Sequence, residues 1–244
     1  METNETKVVP GPGSTLADVE HLLDMPLQQA MMTQRAVRRV HPDPVDDAII
    51  LRLIELAMKA PTGSNSQSWE FVVVKDRAVK EKLQKRYRQA WSLYGSVGRR
   101  IAGGDEKMLR LMNAVKWQVD NFADIPVLIV ACLRTTPRSG HLPYVPLPHI
   151  ATTSFYGSIY PSVQNLLLAA RAVNLGASLI TLPLWSVTSA RSILGIPLTV
   201  TPVCIVPIGW ARGRYGPTTR RPVGEVVHLD QYGNRPWQGV SSAR

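Results

Sequence analysis

The segment Ala60–Val74 reads APTGSNSQSWEFVVV and joins three kinds of local chemistry. Its last part, Trp69–Val74, is aromatic and β-branched, which predicts a strand. Pro61 stops a helix predicted over Pro44–Lys59. Asp46 and Asp47 open that helix at its positive dipole end, and Ile50, Leu53, Ile54 and Ala57 recur at helical spacing. Between helix and strand lie Thr62, Gly63, Ser64, Asn65, Ser66, Gln67 and Ser68, all small or amide residues. Asn and Gln each offer a donor and an acceptor, which suits a planar heterocycle whose edge alternates N–H and C=O. A plain helix-to-strand turn has the same composition, so the loop must be weighed with its neighbours.

Working outward, Asp18–Met32 reads as helical with an interruption at Pro26, Ala78–Ser92 as a basic helix, and Asp105–Phe122 as an amphipathic one. Pro126–Leu133, Ala177–Leu182 and Pro202–Ile208 read as strands, with Gly224–Leu229 as a peripheral one. Tyr160–Asn174 is apolar nearly all round, which predicts a central helix, with Gly176 as its stop. Thr188–Leu194 is a short helix closed by Gly195 and Pro197. Gly95–Lys107 is Gly-rich and reads as a helix–helix loop or a mobile rim. Strands and helices mix without strict βαβ alternation, so the fold class is α+β. Residues 1–15 read as a disordered lead, and 16–238 as one domain.

The chain has 244 residues and a formal net charge of +10, which invites nucleic acid, an anionic membrane or a phosphorylated small ligand as partner. The basic residues are scattered among acidic ones without a nucleic-acid reading motif, so nucleic acid is not expected. Lys80, Lys82, Lys85, Arg86 and Arg88 read as a solvated helix face. The longest apolar run, Ile125–Leu133, is less than half of the ~20 residues a membrane helix needs, and the N-terminus has no apolar signal core. A cytoplasmic protein without membrane contact is expected. Cys132 and Cys204 lie in apolar runs and read as buried thiols. No His/Cys spacing suits a metal, and no Rossmann, P-loop or nucleophile-elbow motif occurs.

Two arginine segments flank the domain. Gln34–Asp46 reads QRAVRRVHPDPVD, with Arg35, Arg38 and Arg39. Gly209–Glu225 reads GWARGRYGPTTRRPVGE, with Arg220 and Arg221. Each alone is a basic surface loop or an anion clamp, since a guanidinium fork can hold a phosphate at two points. Taken in order, Arg35-Ala36-Val37-Arg38, Pro44-Val45, Ala60–Val74, Asn165–Gly176, Pro207–Gly209 and Arg220–Val227 resemble the motif series of the FMN-dependent nitroreductase family across about residues 27–232.

The resemblance implies an antiparallel sheet flanked by helices, an intertwined homodimer with FMN at the interface, and a C-terminal extension reaching the partner. It gives Arg35, with Arg220 and Arg221, to the flavin phosphate, Arg38 to the pyrimidine edge, and Ser64, Asn65 and Gln67 to the ring. Ala36, Val37 and Arg39 complete the N-terminal segment, and Leu182, Pro183 and Leu184 lie behind the ring. Ala36 stands where many relatives carry Ser, which removes one phosphate ligand, and Pro183 replaces a glycine-rich turn. The implied reaction is ping-pong: NADPH or NADH reduces the flavin, then a nitroaromatic is taken to nitroso and hydroxylamine, or a quinone is reduced. No protein nucleophile is required. Arg99, Arg100, Lys107 and Arg110 are candidates for the extra phosphate of NADPH. Trp91, Tyr94, Tyr144 and Phe155 are candidates for the pocket lining, as is the segment His149–Tyr156. Flavin destruction, reductive dehalogenation and non-catalytic flavin binding are the alternatives within this likeness.

Overall fold

The computed structural model describes residues 10–134 and 148–240. Their sheet contains β1 (Trp69–Val74), β2 (Val127–Arg134), β3 (Leu175–Ala177) and β4 (Val200–Trp210), in the order β1-β2-β4-β3. Every pairing is antiparallel, with Trp69 opposite Leu133, Val127 opposite Ile208, and Ala177 opposite Ile208. The α+β class expected from the sequence is the one observed.

β2 is buried on both faces up to Arg134, and its side chains alternate between two cores. Val127, Ile129, Ala131 and Leu133 join one core, and Leu128, Val130 and Cys132 the other. β4 breaks this alternation once. The register shifts between Ala131 and Cys132, so Val203 and Cys204, consecutive in the chain, face the same core. Pro202 lies at this bulge, where a missing N–H is tolerated. Pro207 lies opposite a gap, because pairing with the edge strand stops at Ala177–Ile208 and resumes only at Ile180–Ile205.

One face of the sheet is covered by α1 (Leu16–Val19), α3 (Asp47–Ala57) and α7 (Tyr160–Ala172); α2 (Leu27–Thr33) packs beside α7. Asp46 caps α3 by accepting from Ala48 N at 3.0 Å, and its other oxygen accepts from Leu16 N at 3.1 Å, which ties α1 down. The opposite face carries α4 (Arg77–Ala102), α5 (Glu106–Asp120) and α8 (Val187–Leu194), while α6 (Pro148–Gly157) leads into α7. No helix of the described residues is long and apolar enough to cross a membrane.

Several expectations are corrected. The Gly-rich stretch after Ser92 is helix as far as Ala102, and only Gly103–Asp105 connects α4 to α5. Gly95 is there because the Trp91 ring lies 2.9 Å from where its Cβ would stand, and Gly98 because the Met112 methyl lies 2.6 Å from the equivalent point. Helix α7 ends without help from Gly176: Asn174 takes the left-handed turn at φ +64°, and Gly176 is inside β3. The strand expected over Ala177–Leu182 is found earlier, as β3 at Leu175–Ala177, with Ile180 making only an isolated bridge and Leu182–Leu184 a 3-10 turn. Gly224–Leu229 is not a strand; Val223–Glu225 is another 3-10 turn. Lys80 is buried rather than solvated, and its Nζ donates to Ile125 O at 2.8 Å. Residues 1–9 of the expected lead lie outside the described residues, and Pro10 O accepts from Asn174 Nδ2 at 3.0 Å.

Candidate functional site

The segment Arg35–Val40 leaves α2 as an extended arm, and His41-Pro42 and Asp43-Pro44 keep the chain extended beyond it. The arm crosses from the edge strand to the end of β4. Val37 N donates to Ala177 O at 2.9 Å, Arg212 N to Arg39 O at 3.0 Å, and His41 N to Trp210 O at 2.8 Å. Gly176 allows this approach: a Cβ there would stand 2.8 Å from one Val37 methyl and 2.9 Å from one of Val40. With both valines turned into the α4-side core, the arginines flank a cavity.

The cavity has a volume of about 180 Å³ and is lined by Arg35–Arg39, by Ala114 of α5 and by Ala211–Tyr215. Five arginines therefore meet there: 35, 38, 39, 212 and 214. None of them forms an ion pair with a carboxylate among the described residues. Such a concentration of guanidinium groups without counter-charge is built for an anion. Arg38 is the most constrained. Its Nε is buried with no hydrogen-bond acceptor among the described residues. Burial holds its pKa below the ordinary arginine value, opposed by the nearby Tyr87 phenol. Tyr87 itself is pushed up to about 12, chiefly by burial.

Arg212, Arg214, Tyr215 and Ala114 were not singled out in the sequence. The signal available was Arg212-Gly213-Arg214 immediately after a strand, in the stretch that also holds Arg220 and Arg221. Tyr215 fastens that stretch: its hydroxyl donates to Leu175 O, and Arg171 stacks over its ring at 4.1 Å. Further on, Thr218 N donates to Met32 O at 2.9 Å, which brings the chain entering Arg220 and Arg221 beside the chain entering Arg35. Both arginines are exposed.

The amide loop is equally specific in shape. Ser64, Asn65 and Gln67 hold φ values of +52°, +49° and +47°, a left-handed conformation that non-glycine residues adopt at a cost. The loop is held by Gly63 N donating to Ser158 Oγ at 3.1 Å, Gln67 N to Thr62 Oγ1 at 3.1 Å, and Gln67 Nε2 to Asn65 Oδ1 at 3.2 Å. Trp69 Nε1 donates to Ser158 O at 2.9 Å, fixing the entry to β1.

The loop and the arm do not meet within one chain. Trp69 pairs with Leu133 at one end of β2, whereas Val37 joins Ala177, which pairs with Ile208 opposite Val127 at the other end. The two points lie at opposite ends of β2 and on opposite edges of the sheet, which separates them by roughly 25–30 Å at about 3.3 Å per residue and 4.8 Å per strand. Leu182–Leu184 belongs with the arm. Leu182 and Leu184 pack in the core that holds Val37 and Val40, and Trp185 Nε1 donates to Arg86 O at 3.1 Å, joining the turn to α4.

The expected pocket-lining aromatics are also divided. Trp91 is buried in the α4-side core and stacks at a tilt on Tyr94, while Phe155 packs against the core on the other face. Tyr144 lies outside the described residues, as do the side chains of His149, Arg99 and Arg100. Cys132 and Cys204 are buried, and burial pushes each thiol up to about 12.

Comparison with known proteins matches the nitroreductase family model to residues 31–210, about three quarters of the chain. A 5,6-dimethylbenzimidazole synthase of Rhodospirillum rubrum is 27% identical over 208 residues, spanning 83% of this chain and 87% of the relative. An NADH dehydrogenase of Thermus thermophilus is 38% identical over 56 residues, 23% of this chain and 27% of its own. Among solved structures, oxidised iodotyrosine deiodinase bound to FMN and 3-iodo-L-tyrosine shares the fold with a TM-score of 0.66 at 22% identity, covering 85% of this chain and all of the other. With the family model spanning the arm, the amide loop and the whole sheet, the chain belongs to the nitroreductase family.

Proposed function

We propose that this chain works as a homodimer that holds FMN between its copies and carries electrons from NADPH or NADH to a nitroaromatic or a quinone. The observation that carries this reading is the separation of arm and loop: both have the chemistry of a flavin site, and only two copies bring them together. Apolar side chains left in water on one chain support it, among them Val226, Leu229 and Trp237 of the C-terminal extension.

The residues present fit FMN. Half-buried Arg38 and exposed Arg35, Arg220 and Arg221 have no carboxylate partner among the described residues, which leaves the rest of the Arg38 guanidinium as a donor for the carbonyl of a pyrimidine edge and the others as donors for a phosphate. Arg35 with Arg220 and Arg221 binds the phosphate; Ala36, Val37 and Arg39 shape the arm around it. Ser64, Asn65 and Gln67 of the other copy would hydrogen bond the ring, and Leu182, Pro183 and Leu184 would back it. Bound there, FMN supplies a two-electron relay from a reduced nicotinamide to the acceptor.

The chain's own part is positioning and charge. Arg38 places a fixed cation where negative charge develops on reduction, in a half-buried site where the interaction is stronger than in water. The net first step balances as nitro compound plus NADPH plus a proton, giving nitroso compound, NADP⁺ and water. No thiol enters, since both cysteines stay protonated and enclosed. A cytoplasmic enzyme is the setting in which NADPH is available.

Similarity to the dimethylbenzimidazole synthase and to the deiodinase favours one second reading, in which the same site cleaves its own flavin or removes a halogen. Anaerobic turnover decides between them. Steady NADPH oxidation with a nitroaromatic, giving the hydroxylamine with intact FMN, supports reduction. Oxygen-dependent loss of FMN, or halide release from a halotyrosine without nitro reduction, supports the second reading.

A further inference from the structure

We propose that Arg212 and Arg214, with Arg39, form a phosphomonoester site for the adenosine 2′-phosphate end of the donor, so that the enzyme prefers NADPH to NADH. This rests on the flavin reading above and adds a separate set of residues to it. Arg35, Arg220 and Arg221 suffice for the flavin phosphate and Arg38 for the ring, yet the arginine cavity also contains Arg39, Arg212 and Arg214. The described residues give these three no carboxylate partner. The Arg212 N to Arg39 O bond sets the segment beyond β4 beside the arm, so that guanidinium groups from both segments line one cavity, as a dianion requires.

A second cavity, about 240 Å³, adjoins the first and shares Arg212 with it. Its walls are Trp117 and Asn121 of α5, Val40 and Pro42 of the arm, and Asp124 with Ile125. Arg212 already lies 5.7 Å from the Trp117 ring centroid, so one guanidinium both faces an aromatic surface and lines the anion cavity. Asn121 Nδ2 donates to the Trp117 backbone carbonyl at 2.8 Å, holding the amide over the last turn of α5. The one carboxylate in the wall, Asp124, is neutralised by Arg77 at 2.9 Å. A slot lined by an indole and an amide beside a cationic pocket matches a purine next to its own ribose phosphate. It does not match FMN, whose ring and phosphate are separated by a ribityl chain. The alternative carriers on α5 are poorer: Lys107 and Arg110 line neither cavity, and Arg110 is paired with Glu106.

The test uses the FMN-loaded enzyme and the double variant R212Q/R214Q, with the single R214Q as a milder control for folding. Adenosine 2′,5′-bisphosphate and adenosine 5′-monophosphate are the calorimetric probes. The wild type is expected to bind the bisphosphate more tightly than the monophosphate, and the double variant to lose that difference. The ratio of kcat/KM for NADPH over NADH should fall roughly 10- to 100-fold in the double variant, the scale of two lost contacts between solvent-exposed charges, with W117A weakening both probes together. An unchanged donor ratio with normal folding overturns the proposal. So does a fall in FMN affinity that leaves the ratio intact, which would give these arginines to the flavin. A protein that binds the bisphosphate through Arg212 and Arg214 but takes up no FMN would sink the flavin reading and leave the phosphate site standing.

Discussion

Arg38 brings a guanidinium into the protein and leaves its Nε without an acceptor among the described residues, a cost that the proposed flavin contact to the rest of the guanidinium would offset. Arg38→Ala is therefore expected to lower the flavin's reduction potential and to slow its reduction by NADPH on the order of 10²-fold. Anaerobic stopped-flow and potentiometry check this, and an unchanged potential would contradict the role. A different residue-scale effect concerns pH. Tyr87, Tyr215, Cys132 and Cys204 all have folded-state pKa values pushed up to about 12 by burial. A raised folded pKa favours the protonated form in the fold, so its stabilisation is fully present below the unfolded pKa and is lost as pH rises. The urea midpoint should stay level up to about pH 9 and fall between about pH 9 and 12. A midpoint flat through pH 12 would show that these groups titrate without opposing the fold.

At the scale of elements, Gly176 decides whether β3 and the arm can touch. Gly176→Ala would put a methyl within van der Waals overlap of two valines, which are stiff at χ1. It should cost about 1–3 kcal/mol of stability and weaken FMN retention, because Val37 and Arg38 move together. Urea unfolding and flavin release measure the two effects, and wild-type behaviour in both would refute the close packing. This glycine also shows what the sequence could not disclose. Trp69–Val74 was legible because β-branched residues bounded by a polar loop have one reading, and the cap at Asp46 because the carboxylate precedes a periodic helix. Gly176 and Gly98 read as a stop and a loop because what they accommodate is a side chain far along the chain, Val37 and Met112, whereas Gly95 accommodates Trp91 one turn back in the same helix. Lys80 was misread for the same reason, since its partner is Ile125 O. The candidate site is legible as two segments; its third contributor, Arg212 with Arg214, depends on β4 ending beside the arm, a long-range pairing that local sequence does not encode.

At the scale of the whole molecule, the sheet sets the logic. The arm and the amide loop sit at diagonal corners, so in the proposed homodimer each chain would carry two half-sites that both meet the one partner copy. Hybrid dimers test this. One copy carries Arg38→Ala and the other Asn65→Ala, so one of the two sites in the hybrid collects both changes and the other is intact. Purified hybrids should recover about half of the wild-type activity, while each variant homodimer stays impaired at both sites. No recovery would mean that arm and loop serve the same site from one chain. The +10 charge acquires a similar reading at this scale. Five arginines of the surplus converge on one cavity, while others, such as Arg77 and Arg134, are paired with carboxylates on the surface.

The central claim is that this protein is a flavin enzyme reduced by NADPH. The most direct measurement is the absorbance spectrum of the protein, supplied with FMN and freed of excess, before and after NADPH is added without oxygen. The account predicts a flavin spectrum retained by the protein that bleaches on NADPH and returns when a nitroaromatic is admitted. A protein that stays colourless after exposure to FMN, or a bound flavin that NADPH and NADH both leave oxidised, would contradict it.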